Sequence, residues 1–183
     1  MDIAIIGAGN VGGALGALLA AAGHTIHYGV RNATSEKTRA ALGKTPGAVA
    51  TDNQTAVDAA EVIILATGAA VAIKAARTLS GLDGKVVIDA TNRVGEHSPK
   101  STAEEVAAAA PGARVVKAFN NQGANIYATP DFNGTAATMF IAGDDTAAKA
   151  LVTDMCTTMG FDVVDAGGLE YAYHLEKLAE LWV

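Results

Sequence analysis

The chain has 183 residues, 50% of them hydrophobic and 17% charged, with a mean hydropathy of +0.26; such a makeup buries a core and excludes a disordered segment. A formal charge of −6 and a sequence pI near 5.1 leave no basic footprint for nucleic acid or for an anionic membrane surface. The chain holds 40 alanines, and 20 glycines without a three-residue period beside only 4 prolines, which excludes collagen and Pro-rich linkers and points to close packing.

Short β-rich runs alternate with Ala- and Leu-rich stretches from the first residues on, the pattern of βαβ units wound into a parallel sheet. Ile3–Ile6 reads as a strand and Val11–Ala22 as a helix. Its apolar part, Ala14 to Ala22, is far short of the ~20 residues of a membrane span. Met1-Asp2 lacks the positive start of a cleaved leader, so a soluble cytoplasmic protein is expected.

Next come a strand at Thr25–Gly29, a helix at Ser35–Leu42, a weak strand at Ala48–Ala50 and a helix at Gln54–Ala60. The strand Val62–Ala66 precedes a helix at Ala70–Leu79, and the strand Val86–Asp89 a helix at Thr102–Ala110. The strands Val115–Phe119 and Met139–Ala142, the helix Thr146–Met159, the strand Asp162–Asp165 and a last helix Leu169–Trp182 complete the chain. Most strands are continuous apolar runs, as expected when helices cover both faces of a sheet. The expected fold class is therefore α/β, a Rossmann-type, doubly wound, mainly parallel sheet with a C-terminal helix, and residues 1–183 form one domain.

Ser101 with Glu104 three residues on is a capping box. Asp52 can cap an earlier helix, and Asp144 or Asp145 a later one. The polar stretches Asn92–Lys100 and Thr129–Thr135 follow strands and are expected to wall a pocket at the carboxyl ends of the sheet. The last helix runs out on Leu181-Trp182-Val183 without glycine or a cationic last turn. Either Trp182 docks into a core or a subunit interface, which predicts a homodimer, or the natural chain continues.

The strongest motif is Gly7-Ala8-Gly9-Asn10-Val11-Gly12, between a strand and a helix. Gly7 suits a tight turn, Gly9 the approach of a pyrophosphate and Gly12 close helix–strand packing, while the helix start offers free amides to phosphates. A site for NAD would carry Asp or Glu about 20 residues beyond the glycines. This chain has Gly29-Val30-Arg31-Asn32 there, with Arg31 19 positions after Gly12. A guanidinium group is suited to a 2′-phosphate, with Asn32, Thr34, Ser35 and Lys37 completing that pocket, so NADP(H) is expected.

Other chemistry is sparse in the sequence. His24, His27, His97 and His174 are scattered without metal-ligand spacing, and no GxSxG elbow occurs. Cys156, the single cysteine, cannot close an internal disulfide, suits a reducing compartment and reads as a small buried hydrophobe. Asp89, at a strand end, either orients Thr91-Asn92-Arg93 or bonds backbone amides there. A dinucleotide site without a nucleophile, metal or acid–base pair suits direct hydride transfer, in which the cofactor supplies the chemistry.

The fingerprint, Gly29-Val30-Arg31-Asn32, Val86–Asn92, Val115–Asn120, Gly143-Asp144-Asp145 and Gly160–Gly167, in that order, resemble the NADPH-dependent coenzyme F-420 reductase family across essentially the whole chain. The cytosolic domains of the STEAP metalloreductases look similar. The resemblance implies hydride transfer between NADP(H) and a deazaflavin without a catalytic side chain. It also implies that Thr67, Gly68 and Ala69 line the ribose side, and that Asn120, Gly123 and Ala124 meet the nicotinamide. Val30 stands where the family often has serine, and Gly68-Ala69 where it often has proline and an aromatic.

Three functions stay open at this point. The chain is an oxidoreductase passing a hydride to coenzyme F-420 or a flavin-like co-substrate, an NADPH-dependent flavin, ferric or quinone reductase, or a catalytically silent NADP-binding redox sensor. Each takes a small-molecule partner, with no nucleic acid or membrane.

Overall fold

The computed structural model describes residues 1–95 and 98–181. It contains β1 (Asp2–Ile6), α1 (Asn10–Ala21), β2 (Thr25–Gly29), α2 (Glu36–Lys44), β3 (Val49–Thr51), α3 (Asn53–Asp58), β4 (Val62–Leu65) and α4 (Ala69–Thr78). These are followed by β5 (Val86–Asp89), α5 (Thr102–Ala109), β6 (Arg114–Lys117), β7 (Thr138–Gly143), α6 (Thr146–Thr158), β8 (Asp162–Asp165), a 3-10 turn (Leu169–Tyr171) and α7 (Ala172–Glu180). His97 and Trp182, and with Trp182 its expected docking, lie outside the described residues.

The strands form one sheet in the order β3-β2-β1-β4-β5-β6-β7-β8. All neighbours are parallel except β6 and β7, which pair antiparallel through Val116 and Lys117. The order reverses between β1 and β4, and in open α/β sheets the crevice for a ligand lies outside the strand ends at such a reversal. One edge strand, β3, has 3 residues; the other, β8, reads Asp162-Val163-Val164-Asp165, with an aspartate at each end.

Alternation along the strands sorts the core into two layers. Ile3, Ile5 and Ile64 pack with Leu15 and Leu19 of α1, Ala41 of α2 and Val152 and Cys156 of α6. Ala4, Ile6, Ile63 and Leu65 pack on the other side with α3, α4, α5 and Ala172 of α7. Each fully buried Ile, Leu or Val stabilises the fold by about 1.5–3 kcal/mol. Small residues let helices lie close on this sheet. A Cβ at Gly16 would stand 1.9 Å from the Tyr28 hydroxyl, which itself bonds Thr45 Oγ1 at 2.9 Å.

The expected strand Val115–Phe119 ends earlier, at Lys117. Phe119 takes φ +62, a left-handed conformation costly for a bulky residue, and breaks the ladder although the apolar run continues. The Tyr127 hydroxyl donates to the Phe119 carbonyl, and Phe119 N–H donates to Met139 Sδ at 3.2 Å. The last helix is likewise preceded by a 3-10 turn rather than continuous from Leu169.

Cys156 is fully buried in α6, and desolvation pushes its thiol up to about 12. Because the thiolate is the reacting form, the native protein is expected to resist an aromatic disulfide reagent at pH 8 and to react at once when unfolded in denaturant. Rapid labelling of the native chain would show that α6 opens. Among the described residues, no helix is long and apolar enough to cross a membrane.

Candidate functional site

The chain leaves β1 through Gly7, whose φ is +109 and whose N–H bonds the Gly29 carbonyl at 2.9 Å. A side chain here would meet the Ala66 carbonyl at 2.6 Å, so both backbone conformation and space demand glycine. Gly12, in the first turn of α1, faces back onto this turn: a Cβ would lie 2.0 Å from the Gly7 carbonyl oxygen. Gly9 and Gly68 differ, because nothing lies within 4 Å of where their Cβ atoms would project.

Helix starts around this turn share a property. The helices α2, α3, α5 and α6 are capped by the side chains of Ser35, Asp52, Ser101 and Asp145, while α1 and α4 begin on Gly9 and Gly68 with no side-chain cap. Their first amides therefore remain open to an external acceptor, and the dipole favours an anion there. Asp144, the other cap expected of α6, accepts instead from Leu169 N–H at 2.8 Å.

A cavity of about 580 Å³ occupies the reversal point, lined by Gly7, Ala8, Gly9, Arg31, Asn32, Ser35, Lys37, Thr67 and Gly68 from the expected set. Ile6, Gly29, Val30, Thr38, Asn53 and Val71 complete its walls. A second cavity of about 580 Å³ shares Ala8, Gly9 and Lys37 with the first, and adds Asn10 and Ala124 from the expected set together with Lys44 and Asn125. Among the described residues no carboxylate lines either cavity, whereas three cations do: Arg31, Lys37 and Lys44. None of the three makes an ion pair or hydrogen bond among the described residues. In a chain of net charge −6, this is a local reversal of sign suited to phosphate groups.

Several expected residues act differently in detail. Ser35 Oγ accepts from Thr38 N–H at 3.2 Å as the cap of α2, and Asn32 Oδ1 accepts from the amide and the hydroxyl of Thr34, at 2.9 and 2.8 Å. Both thus build the turn that presents Arg31. Val11, Gly12, Ala69, Asn120 and Gly123 line neither cavity. Val11 packs against the core, Gly12 serves the packing of turn on helix, and Ala69 opens α4.

Asn120 is buried at the end of the β6 segment. Its Nδ2 donates to Asn92 Oδ1 at 2.9 Å and to the Leu175 carbonyl at 3.0 Å, and Asn92 Nδ2 returns a bond to the Asn120 carbonyl at 2.7 Å. With both donors committed, Asn120 Oδ1 is left buried without a partner among the described residues. Further on, Asn121 and Gln122 donate to the Thr138 carbonyl and pin this loop to β7. Of the two polar stretches expected to wall the pocket, no described residue lines either cavity. The described part of Asn92–Lys100 is tied to helices instead, through Arg93 to Glu105 at 3.0 Å and Gly95 N–H to Glu180 at 2.9 Å.

Sequence reading missed Asn53, Thr38 and Lys44. Asn53 opens α3 directly after β3, and it reaches the cavity because Thr51 pairs with Gly29 across β2 and β3. A buried ionic group just below Asn92 and Asn120 was missed as well: Lys117 Nζ lies 2.8 Å from Asp89 Oδ2 and 2.7 Å from Glu176 Oε1.

The chain is similar to known proteins along its whole length. Metalloreductase STEAP3 of Rattus norvegicus is 30% identical over 179 residues, which cover 96% of this chain but 36% of that protein. The crystal structure of a candidate F420-dependent NADP-reductase from Arthrobacter sp. FB24 matches with a TM-score of 0.88 and 29% identity, covering 100% of this chain and 91% of the other. The hypothetical protein SMa0349 from Sinorhizobium meliloti matches with a TM-score of 0.76 and 30% identity, covering 94% and 88%. Residues 2–93, which contain the glycine turn, Arg31 and the β4–α4 turn, match the sequence profile of the family described as NADP oxidoreductase coenzyme F420-dependent, and the chain belongs to that family of NADP-dependent oxidoreductases.

Proposed function

We propose that the chain moves a hydride directly between NADP(H) and a deazaflavin such as coenzyme F-420, or a flavin-like ring, without a covalent or acid–base side chain. The observation that carries this reading is the content of the cavity walls: open helix amides, three cations without a partner among the described residues, hydroxyls, amides and apolar groups, and among those residues no carboxylate, histidine or cysteine. Bound NADP(H) supplies the hydride. The uncapped starts of α1 and α4 and the cleared space at Gly9 and Gly68 receive the pyrophosphate and ribose. Arg31 and Lys37 hold the 2′-phosphate, with Asn32 and Ser35 shaping the turn beneath it. Asn120 orients the carboxamide, beside Gly123 and Ala124. Transfer to a ring acceptor asks the protein for alignment and exclusion of water, whereas reduction of a ketone would ask for a proton donor.

The match to a metalloreductase over 96% of the chain supports a second reading, in which a flavin passes the electrons on to ferric ion or a quinone. The exposed Leu178 and Leu181 at the end of α7 support association of two copies. Mixing the protein with NADPH and, in turn, oxidised coenzyme F-420, FMN, FAD and a quinone is expected to bleach the reduced-nicotinamide absorbance with the deazaflavin or the flavins. With FMN present in catalytic amount only, complete bleaching that requires added ferric ion or quinone, to which the reduced flavin hands its two electrons, favours the second reading. Tight NADPH binding with no turnover on any acceptor would leave a silent sensor and reject both.

A further inference from the structure

Lys117, Asp89 and Glu176 form a group that the proposed chemistry does not use. Lys117 and Asp89 are the last residues of β6 and β5, direct neighbours in the parallel register, and both are 0% exposed; Glu176, in α7, is 4% exposed. The Lys117 ammonium has three N–H groups and finds three acceptors: Asp89 Oδ2 at 2.8 Å, Glu176 Oε1 at 2.7 Å and the Thr91 carbonyl at 2.6 Å. Asp89 Oδ1 accepts from Thr91 N–H at 3.1 Å, and Glu176 Oε1 also accepts from Thr102 N–H at 2.8 Å, in the first turn of α5. One cation and two carboxylates are thus enclosed where an apolar cluster would pack without their desolvation cost.

What such a group provides is a single geometry, and its position shows what is held. Thr91 leads directly to Asn92, and Lys117 leads through Ala118 and Phe119 to Asn120. One turn of α7 touches both segments, with Glu176 on Lys117 and the Leu175 carbonyl on Asn120 Nδ2. Asn92 and Asn120 then bond each other in both directions. Neither Lys117 nor Glu176 lines a cavity, and neither do Asn92 and Asn120; it is the proposed contact of Asn120 with the carboxamide that would carry the influence of the joint to the cofactor.

We infer that Glu176 and Lys117 are positioning residues: a buried carboxylate–ammonium–carboxylate joint with Asp89 lets α7 set where Asn92 and Asn120 stand at the nicotinamide end of the site. The inference rests on the proposed binding of NADP(H) in the β1–β4 crevice. It adds that α7, remote from the adenine half, governs the nicotinamide half alone.

Two ligands separate the halves: NADPH, and 2′,5′-ADP, which keeps the adenosine 2′-phosphate but lacks nicotinamide. Glu176→Gln keeps the shape and an acceptor for Thr102 N–H while removing the charge; Asp89→Asn does the same at the other end of the joint. In both variants the Kd for 2′,5′-ADP is expected to stay within about twofold, while the Kd for NADPH rises about tenfold, the worth of about one hydrogen bond to a committed partner. With an accepted ring substrate, kcat is expected to fall about 100-fold from misalignment, against an unchanged kcat in Asp165→Asn, which removes an exposed ion pair. A lower Tm with an unchanged ratio of the two Kd values would mean a merely structural joint and overturn the inference. Equal affinity of the unaltered protein for NADPH and 2′,5′-ADP would overturn it too. Failure of the unaltered protein to bind 2′,5′-ADP would instead reject the cofactor assignment.

Discussion

Replacing Arg31 with alanine is expected to weaken NADPH binding by about 10- to 100-fold and to leave NADH within about twofold, because a hydrogen bond to a charged group contributes about 1.5–3 kcal/mol. Arg31 is exposed at the end of β2, without an ion-pair partner among the described residues, on a turn built by Asn32, Thr34 and Ser35. Nothing in the fold depends on its charge, so loss of affinity reports on the ligand alone. Lysine at this position is expected to recover only part of the selectivity, since an ammonium cannot grip a phosphate with two parallel bonds. Titration of both dinucleotides against the variant decides the matter. An equal loss for NADH and NADPH would remove Arg31 from the 2′-phosphate site.

The second large effect is expected at Gly12. Alanine there places a methyl group 2.0 Å from the Gly7 carbonyl oxygen, and the obstacle is backbone, which cannot rotate away. Either α1 shifts off β1 or the glycine turn deforms, and overpacking of this kind costs about 1–3 kcal/mol and occasionally more. Gly12→Ala is therefore expected to lower the thermal midpoint by about 5–10 °C and to weaken NADPH together with 2′,5′-ADP. In contrast, alanine at Gly9 meets no protein atom within 4 Å, so it is expected to spare stability and impair binding. Thermal unfolding with and without NADPH separates the two. A Gly12→Ala protein with unchanged midpoint would refute the packing role.

Strands were legible because helices cover both sheet faces, so that residues 3–6 and 86–88 read as unbroken apolar runs. The fingerprint and Arg31 were legible because turn, helix start and β2 end follow one another closely in the chain. What escaped depends on distant elements meeting. Asn53 reaches the cavity only through the pairing of β3 on β2, and no local pattern marks it. Half of the ionic joint could have been found: Asp89 and Lys117 each close a strand, and a polar residue at the end of an apolar run signals a partner beside it. Glu176 could not, since its approach depends on how α7 crosses the sheet. The apolar run through Phe119 misplaced a strand end because burial continues where the ladder stops.

The two sheet edges have a consequence for assembly. An outer strand presents unpaired amides and carbonyls that invite another chain to extend the sheet, and charge or brevity at the edge discourages this. Here β3 is only 3 residues long, and β8 sets like charges at both ends of Val163-Val164, so two copies brought edge to edge would oppose aspartates. Growth into a continuous cross-chain sheet is thereby disfavoured at both sides.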